Sequence, residues 1–130
     1  MPPRYFTVVE ANALLPQVRH LVERILQARQ EILVLQPQLW PAVEKAALNG
    51  GGKAASDATQ HIMRIQEAVH ALTDMGIEIK DLNSGLIDFP AQRHGDVVLL
   101  CWRYNEPAVE YWHSLEDGFA GRRPISEWDV

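Results

Sequence analysis

Cysteine is nearly absent from this chain. Cys101 is the only one in 130 residues, which excludes an intrachain disulfide and every paired-cysteine metal motif. Long apolar runs are lacking as well. The longest, "VVLLCW" at 97–102, falls far short of the roughly 20 residues that a membrane helix needs, so no membrane partner is expected. Positive charge is nowhere concentrated: 12 Lys and Arg stand against 17 Asp and Glu, a formal net charge of −5. Arg122-Arg123 is a pair and not a patch, and nucleic acid is not an expected partner. The N-terminal stretch has no long apolar segment of the secretory type, and no phosphate loop or dinucleotide fingerprint is present. A soluble protein of a reducing cytoplasm is the expectation.

What is present reads as one domain over 1–130. Apolar residues make up 47% and charged residues 22%, ordinary usage for a globular chain. "TVVE" has the form of a capping box, with Thr7 as N-cap and Glu10 three residues on. From there Leu14, Val18, Leu21, Val22, Ile25, Leu26, Ile32 and Leu33 recur at helical spacing. Pro16 falls inside this run and is expected to kink the helix or split it near Leu15. A short helix over 41–48 and a flexible glycine loop over 49–55 follow. A second long helix is expected over 56–74, with Ala58, Ile62, Ile65, Val69 and Leu72 as its stripe and Gly76 as its stop. The helical part thus covers 1–75, and its two long helices are expected to pack antiparallel.

After Gly76 the period becomes two. "IEIK", "GLIDFP" and "VVLLCWR" read as strands of a meander over 76–104, with "AQRHGD" as a hairpin loop. In "VVLLCWR" both faces are apolar, as in a strand covered on both sides. The expected fold class is α+β: two long antiparallel helices on a small antiparallel sheet of about three strands, then a short C-terminal helix and an extended tail over 105–130.

The segment "NEPAVEYWHSLEDGFAGRR" carries the candidate chemistry. Read as a helix capped by Asn105 and stopped by Gly118, it places Glu106, Glu110, His113 and Asp117 on one side at spacings of four, three and four. Ala108, Trp112, Leu115 and Phe119 fall opposite. A strand over "AVEYWHS" splits the polar from the apolar residues less cleanly but stays open, because Tyr and Trp favour strands. Glu110-x-x-His113 is the spacing of helical carboxylate–histidine metal sites. His113, Glu110 and Asp117 are therefore candidate ligands for zinc, manganese or iron, with Asp88 and Trp112 in supporting positions. The solvated polar face of an ordinary helix explains the same pattern. In "GFAGRRP", Gly121, Arg122 and Arg123 are candidate anion-binding residues, since a glycine turn offers backbone amides to an anion; a helix stop with arginines turned to nearby acids is the plainer account. Cys101, on the most apolar strand, is expected to be a buried inert thiol. His20 and His70 fall on polar helix faces, and His94 falls in the hairpin loop.

Three blocks, "FTVVEANALLP", "GIEIKDLNSGLIDFP" and "VLLCWRYNEPAVEYWHSLEDGFAGRRPI", give the chain a resemblance over nearly its whole length to an uncharacterised prokaryotic family, domain of unknown function 2203. In that family a glycine commonly precedes the Glu–Pro pair, where Asn105 stands here. The resemblance implies a small bacterial cytoplasmic protein and no particular reaction, and it directs attention to the last block. Two functions follow as expectations. The first is a non-enzymatic module that associates with itself or with another protein through apolar helix faces or the tail bearing Trp128. The alternative is a metal- or small-anion-binding protein, in its enzymatic form a metal-dependent hydrolase. An acidic regulator of a basic partner fits the net charge alone.

Overall fold

The computed structural model describes residues 4–49 and 59–129. The α+β expectation holds, with more elements than the sequence suggested. Among the described residues the helices are α1 (Val8–Leu35), α2 (Trp40–Asn49) and α3 (Thr59–Asp74). The strands are β1 (Glu78–Asp81), β2 (Leu86–Arg93), β3 (Asp96–Arg103), β4 (Tyr111–Ser114) and β5 (Arg123–Pro124). They form one antiparallel sheet in chain order, β1-β2-β3-β4-β5. None of the described helices is long and apolar enough to cross a membrane. The expected loop at 49–55 lies outside the described residues from 50 onward, as do the expected first residues of α3.

Helix α1 begins where the capping box places it. Thr7 Oγ1 accepts from the Glu10 amide at 3.0 Å, and Glu10 Oε1 accepts from the Thr7 amide at 2.9 Å. The helix runs unbroken through Pro16, contrary to the expected split. Pro16 is exposed whereas Leu15 and Val18 are buried, so the missing hydrogen bond faces water and the packed face is undisturbed. Helix α3 runs antiparallel to α1: Arg24 pairs with Glu67 at 3.7 Å, and Glu31, further along α1, pairs with the earlier Arg64 at 2.7 Å. Gly76 ends α3 at φ 89°, and the Ile77 amide closes back on Leu72 O at 3.1 Å, the bond that such a glycine stop makes.

The sheet has one face against the helices. Ile87, Phe89, Ala91, Val98, Leu100 and Trp102 enter the same core as Val18, Val22, Ile25, Ile65 and Leu72. Alternation sends Asp88, Leu99 and Cys101 to the other face, where they are also buried. Strand β3 is thus covered on both sides, as its sequence suggested. The β2–β3 turn is narrower than the expected loop: His94 and Gly95 alone make it, at φ 52° and 84°, the pattern of a two-residue hairpin turn.

The segment after β3 departs from expectation. No helix forms over 105–117. Asn105 turns the chain at φ 84°, a conformation that favours glycine. Asn12 then holds the chain to α1. Its Oδ1 accepts from the Val109 amide at 2.8 Å and its Nδ2 donates to Val109 O at 3.2 Å. Losing such a partner inside the protein costs about 1–3 kcal/mol. Beyond it, β4 pairs with the Val98–Cys101 stretch of β3 and β5 pairs with β4. A helix here would have left that edge of an apolar strand unpaired. The chain continues in short 3-10 helices at Phe119–Gly121 and Ile125–Asp129. Trp128 docks on Trp112, ring centroids 5.7 Å apart.

The β1–β2 turn carries a pH dependence. Burial alone would raise the Asp81 carboxyl, but hydrogen bonds from Ser84 and Asn83 outweigh it and hold the group below its ordinary value of 3.8. A carboxyl lowered by folding contributes stability that is present above the unfolded pKa and lost as pH falls through the folded one. Urea denaturation of Asp81→Asn should show a stability deficit that is constant from neutral pH to about 4 and shrinks below that. A deficit unchanged across the acid limb would contradict this role.

Candidate metal centre

The sheet face turned away from the helices gathers the polar residues that matter. Asp88 on β2 stands directly opposite Cys101 on β3, and His113 on β4 stands opposite Leu99, the residue two before Cys101 on the same face. Asp88 and His113 flank β3 from either side and reach toward each other across it. His113 Nε2 lies 3.1 Å from each Asp88 carboxylate oxygen. One donor atom from each of Asp88, Cys101 and His113 falls within 4.8 Å of the others. The three residues are 1%, 0% and 3% exposed.

The hydrogen bonds fix what this cluster requires. His113 Nδ1 lies 2.8 Å from Ser114 O. A carbonyl can only accept, so Nδ1 carries the hydrogen. In the neutral ring Nε2 is then a lone pair, and it faces two carboxylate oxygens, which also only accept. Such a contact is repulsive unless a cation sits in it, either a proton shared by Nε2 and the Asp88 carboxyl or a metal ion. An Nδ1–H bonded to a backbone carbonyl is also how metal-binding histidines are commonly oriented. Burial raises the Asp88 carboxyl above its usual range, with the His113 and Lys80 charges opposing. Burial, with the Asp88 charge, pushes the Cys101 thiol up to about 12, against an opposing pull from Arg122. Without a bound cation Cys101 is a thiol, as the sequence suggested. A metal ion would convert it to a thiolate ligand.

A family model described as "uncharacterized conserved protein (DUF2203)" matches residues 4–125. The chain belongs to the DUF2203 family. No curated protein and no solved structure matches it. Asp88, Cys101 and His113 all lie within the stretch that the DUF2203 model matches.

Of the residues singled out in the sequence, the structure brings together His113 and Asp88. Glu110 does not join them. With 111–114 a strand and not a helix, residues three apart point to opposite faces, and Glu110 is exposed while its carbonyl accepts from the Ile125 amide at 2.9 Å. Asp117 is exposed on the turn after β4, its amide donating to Ser114 Oγ at 3.1 Å. Trp112 faces the opposite side of the sheet, across from Leu100.

In the glycine turn the amides of Gly121 and Arg122 are turned inward to the chain itself. The Gly121 amide donates to Gly118 O at 3.1 Å and the Arg122 amide to Phe119 O at 3.2 Å. Gly121 is required for space, since a Cβ there would collide with Asp117. Arg122 is already engaged: its Nη2 donates to Glu106 Oε1 at 2.9 Å and to Cys101 O at 3.3 Å. Its guanidinium lies 4.1 Å from the Tyr111 ring centre and 4.7 Å from that of Phe119. Arg123 is exposed on β5. Cys101 is the donor that the sequence reading passed over. The signal was available: Asp88 and Cys101 stand at equal distance on either side of the His94–Gly95 turn, which makes them cross-strand partners once that turn is recognised.

Proposed function

We propose that this DUF2203 protein binds one divalent transition-metal ion of the zinc class through Asp88, Cys101 and His113. The observation that carries the reading is the convergence of three buried donor groups, one atom from each of Asp88, Cys101 and His113 within 4.8 Å of the others, with His113 Nδ1 held by Ser114 O at 2.8 Å so that Nε2 faces Asp88. Bond lengths of about 2.0–2.1 Å around a tetrahedral ion separate neighbouring nitrogen and oxygen donors by about 3.3 Å, close to the 3.1 Å found here. A thiolate, an imidazole and a carboxylate suit zinc better than magnesium or calcium, which favour oxygen alone. The two Asp88 oxygens are equidistant from Nε2, so either can serve as the carboxylate donor. Such an ion clamps β2, β3 and β4 together, and a scaffold role fits the burial of its ligands better than hydrolysis does.

Metal analysis of the purified, tag-free protein after zinc is offered should give close to one zinc per chain. Asp88→Asn, Cys101→Ser and His113→Ala should each lose it, whereas Glu110→Ala and Asp117→Ala should keep it. Zinc retained in all three ligand variants, or bound by none of the proteins, would rule the centre out.

A second reading, self-association, is favoured by the end of α1, where Val34 and Leu35 are 68% and 72% exposed. Sedimentation at micromolar concentration should then give a multiple of the monomer mass that falls to the monomer in a Val34→Ser, Leu35→Ser variant. A wild type already monomeric would end that reading.

A further inference from the structure

The C-terminal segment beyond Val109 is attached to the rest of the domain through a short strand ladder, partly buried apolar side chains and a few side-chain ties, and the candidate metal centre is one of these ties. Asn12 pins the chain at Val109, so a boundary falls there. Past it, β4 has four residues and β5 two, and β4 meets β3 only over Val98–Cys101. On the helix side of the sheet, Trp112, Ile125 and Trp128 pack partly buried against the core, Trp112 and Trp128 also pack on each other, and both of their rings rest on Arg93 of β2 at 5.3 and 4.9 Å. On the far side the Arg103 guanidinium of β3 lies 5.3 Å from the Phe119 ring centre, and two polar ties reach out of the segment. Arg122 bonds to Glu106 and to Cys101 O, and His113 reaches past β3 to Asp88. The second of these joins β4 to a strand that it does not pair with.

We infer that cation occupancy of the Asp88–Cys101–His113 centre governs whether residues 110–125 stay docked on β3. The inference rests on the reading of that cluster as a metal centre. Two of the three donors lie on β2 and β3, which the helices hold whether or not metal is present. The third comes from the segment itself. A cation that needs all three therefore binds the docked form and draws the equilibrium toward it by mass action. Without it, a four-residue ladder is the kind of element that opens locally while the core stays closed. The centre thus acts as a latch on the last part of the chain, with the helices and β1–β3 as the frame.

Hydrogen exchange on the full chain tests this, with the protein loaded with zinc and then stripped by a chelator. The amides of Tyr111–Ser114 should exchange at least about tenfold faster after stripping, while those of Ile87–Ala91 keep their protection. Unchanged exchange at Tyr111–Ser114 in a protein shown to have bound and lost one zinc would overturn the latch and leave the metal centre standing. Loss of protection across β2 and β4 together would also overturn it, because the ion would then support the whole fold. Failure to take up zinc at all would remove the centre itself, and the latch with it.

Discussion

A buried imidazole nitrogen facing two carboxylate oxygens has to share a cation with them, and the far side of this sheet is arranged around that requirement. His113 cannot relieve the contact by turning over its tautomer, because Nδ1 is committed to Ser114 O. Asp88 cannot turn out to water, because its strand is second in the sheet and its side chain is 1% exposed. Removing a carboxylate from water costs several kcal/mol, which a proton-mediated pair recovers only in part, and well-packed apolar residues are often at least as stabilising. On the proposed reading, a metal ion shared by these groups and the Cys101 thiolate offsets that cost.

The surroundings of the cluster form a second layer with consistent charge. Arg122 sits beside Cys101 and opposes the rise of its thiol pKa, while its own charge is met by Glu106 at 2.9 Å. Glu106 in turn accepts from the Arg103 amide at 2.7 Å and closes the turn that follows β3. Lys80, paired with Glu78 at 2.8 Å, acts on Asp88 from the other side. Each nearby cation is thus paired with its own carboxylate. Neither leaves an uncompensated charge in the layer around the donors.

Much of the fold could be read from the residues, and the misreadings have physical causes. The capping box at Thr7 and Glu10, the apolar stripes of α1 and α3 and the glycine stop at Gly76 are local signals, and each is realised in place. β1, β2 and β3 were legible because alternation and the hairpin glycine are local too. The stretch 105–117 was not, because its polar and apolar residues separate more cleanly on a helix than on a strand. The deciding factor was non-local: the free edge of β3 and the Asn12 side chain waiting for Val109. The candidate site failed in the same way. Glu110 and Asp117 were attached to His113 through a helix that does not form, whereas its real neighbours come from strands 12 to 25 residues earlier in the chain. Cys101 was set aside as one apolar position among several. Its chemistry appears only when Asp88 and His113 are brought to the same face.

The most direct test of the account is a crystal structure of the zinc-loaded protein with diffraction data on both sides of the zinc absorption edge. The account predicts a single anomalous peak within bonding distance of Asp88, Cys101 Sγ and His113 Nε2, with His113 Nδ1 still donating to Ser114 O. Density showing the Asp88–His113 contact closed with no ion in it, and zinc elsewhere on the surface or nowhere, would show that a proton fills the gap and that this is no metal centre.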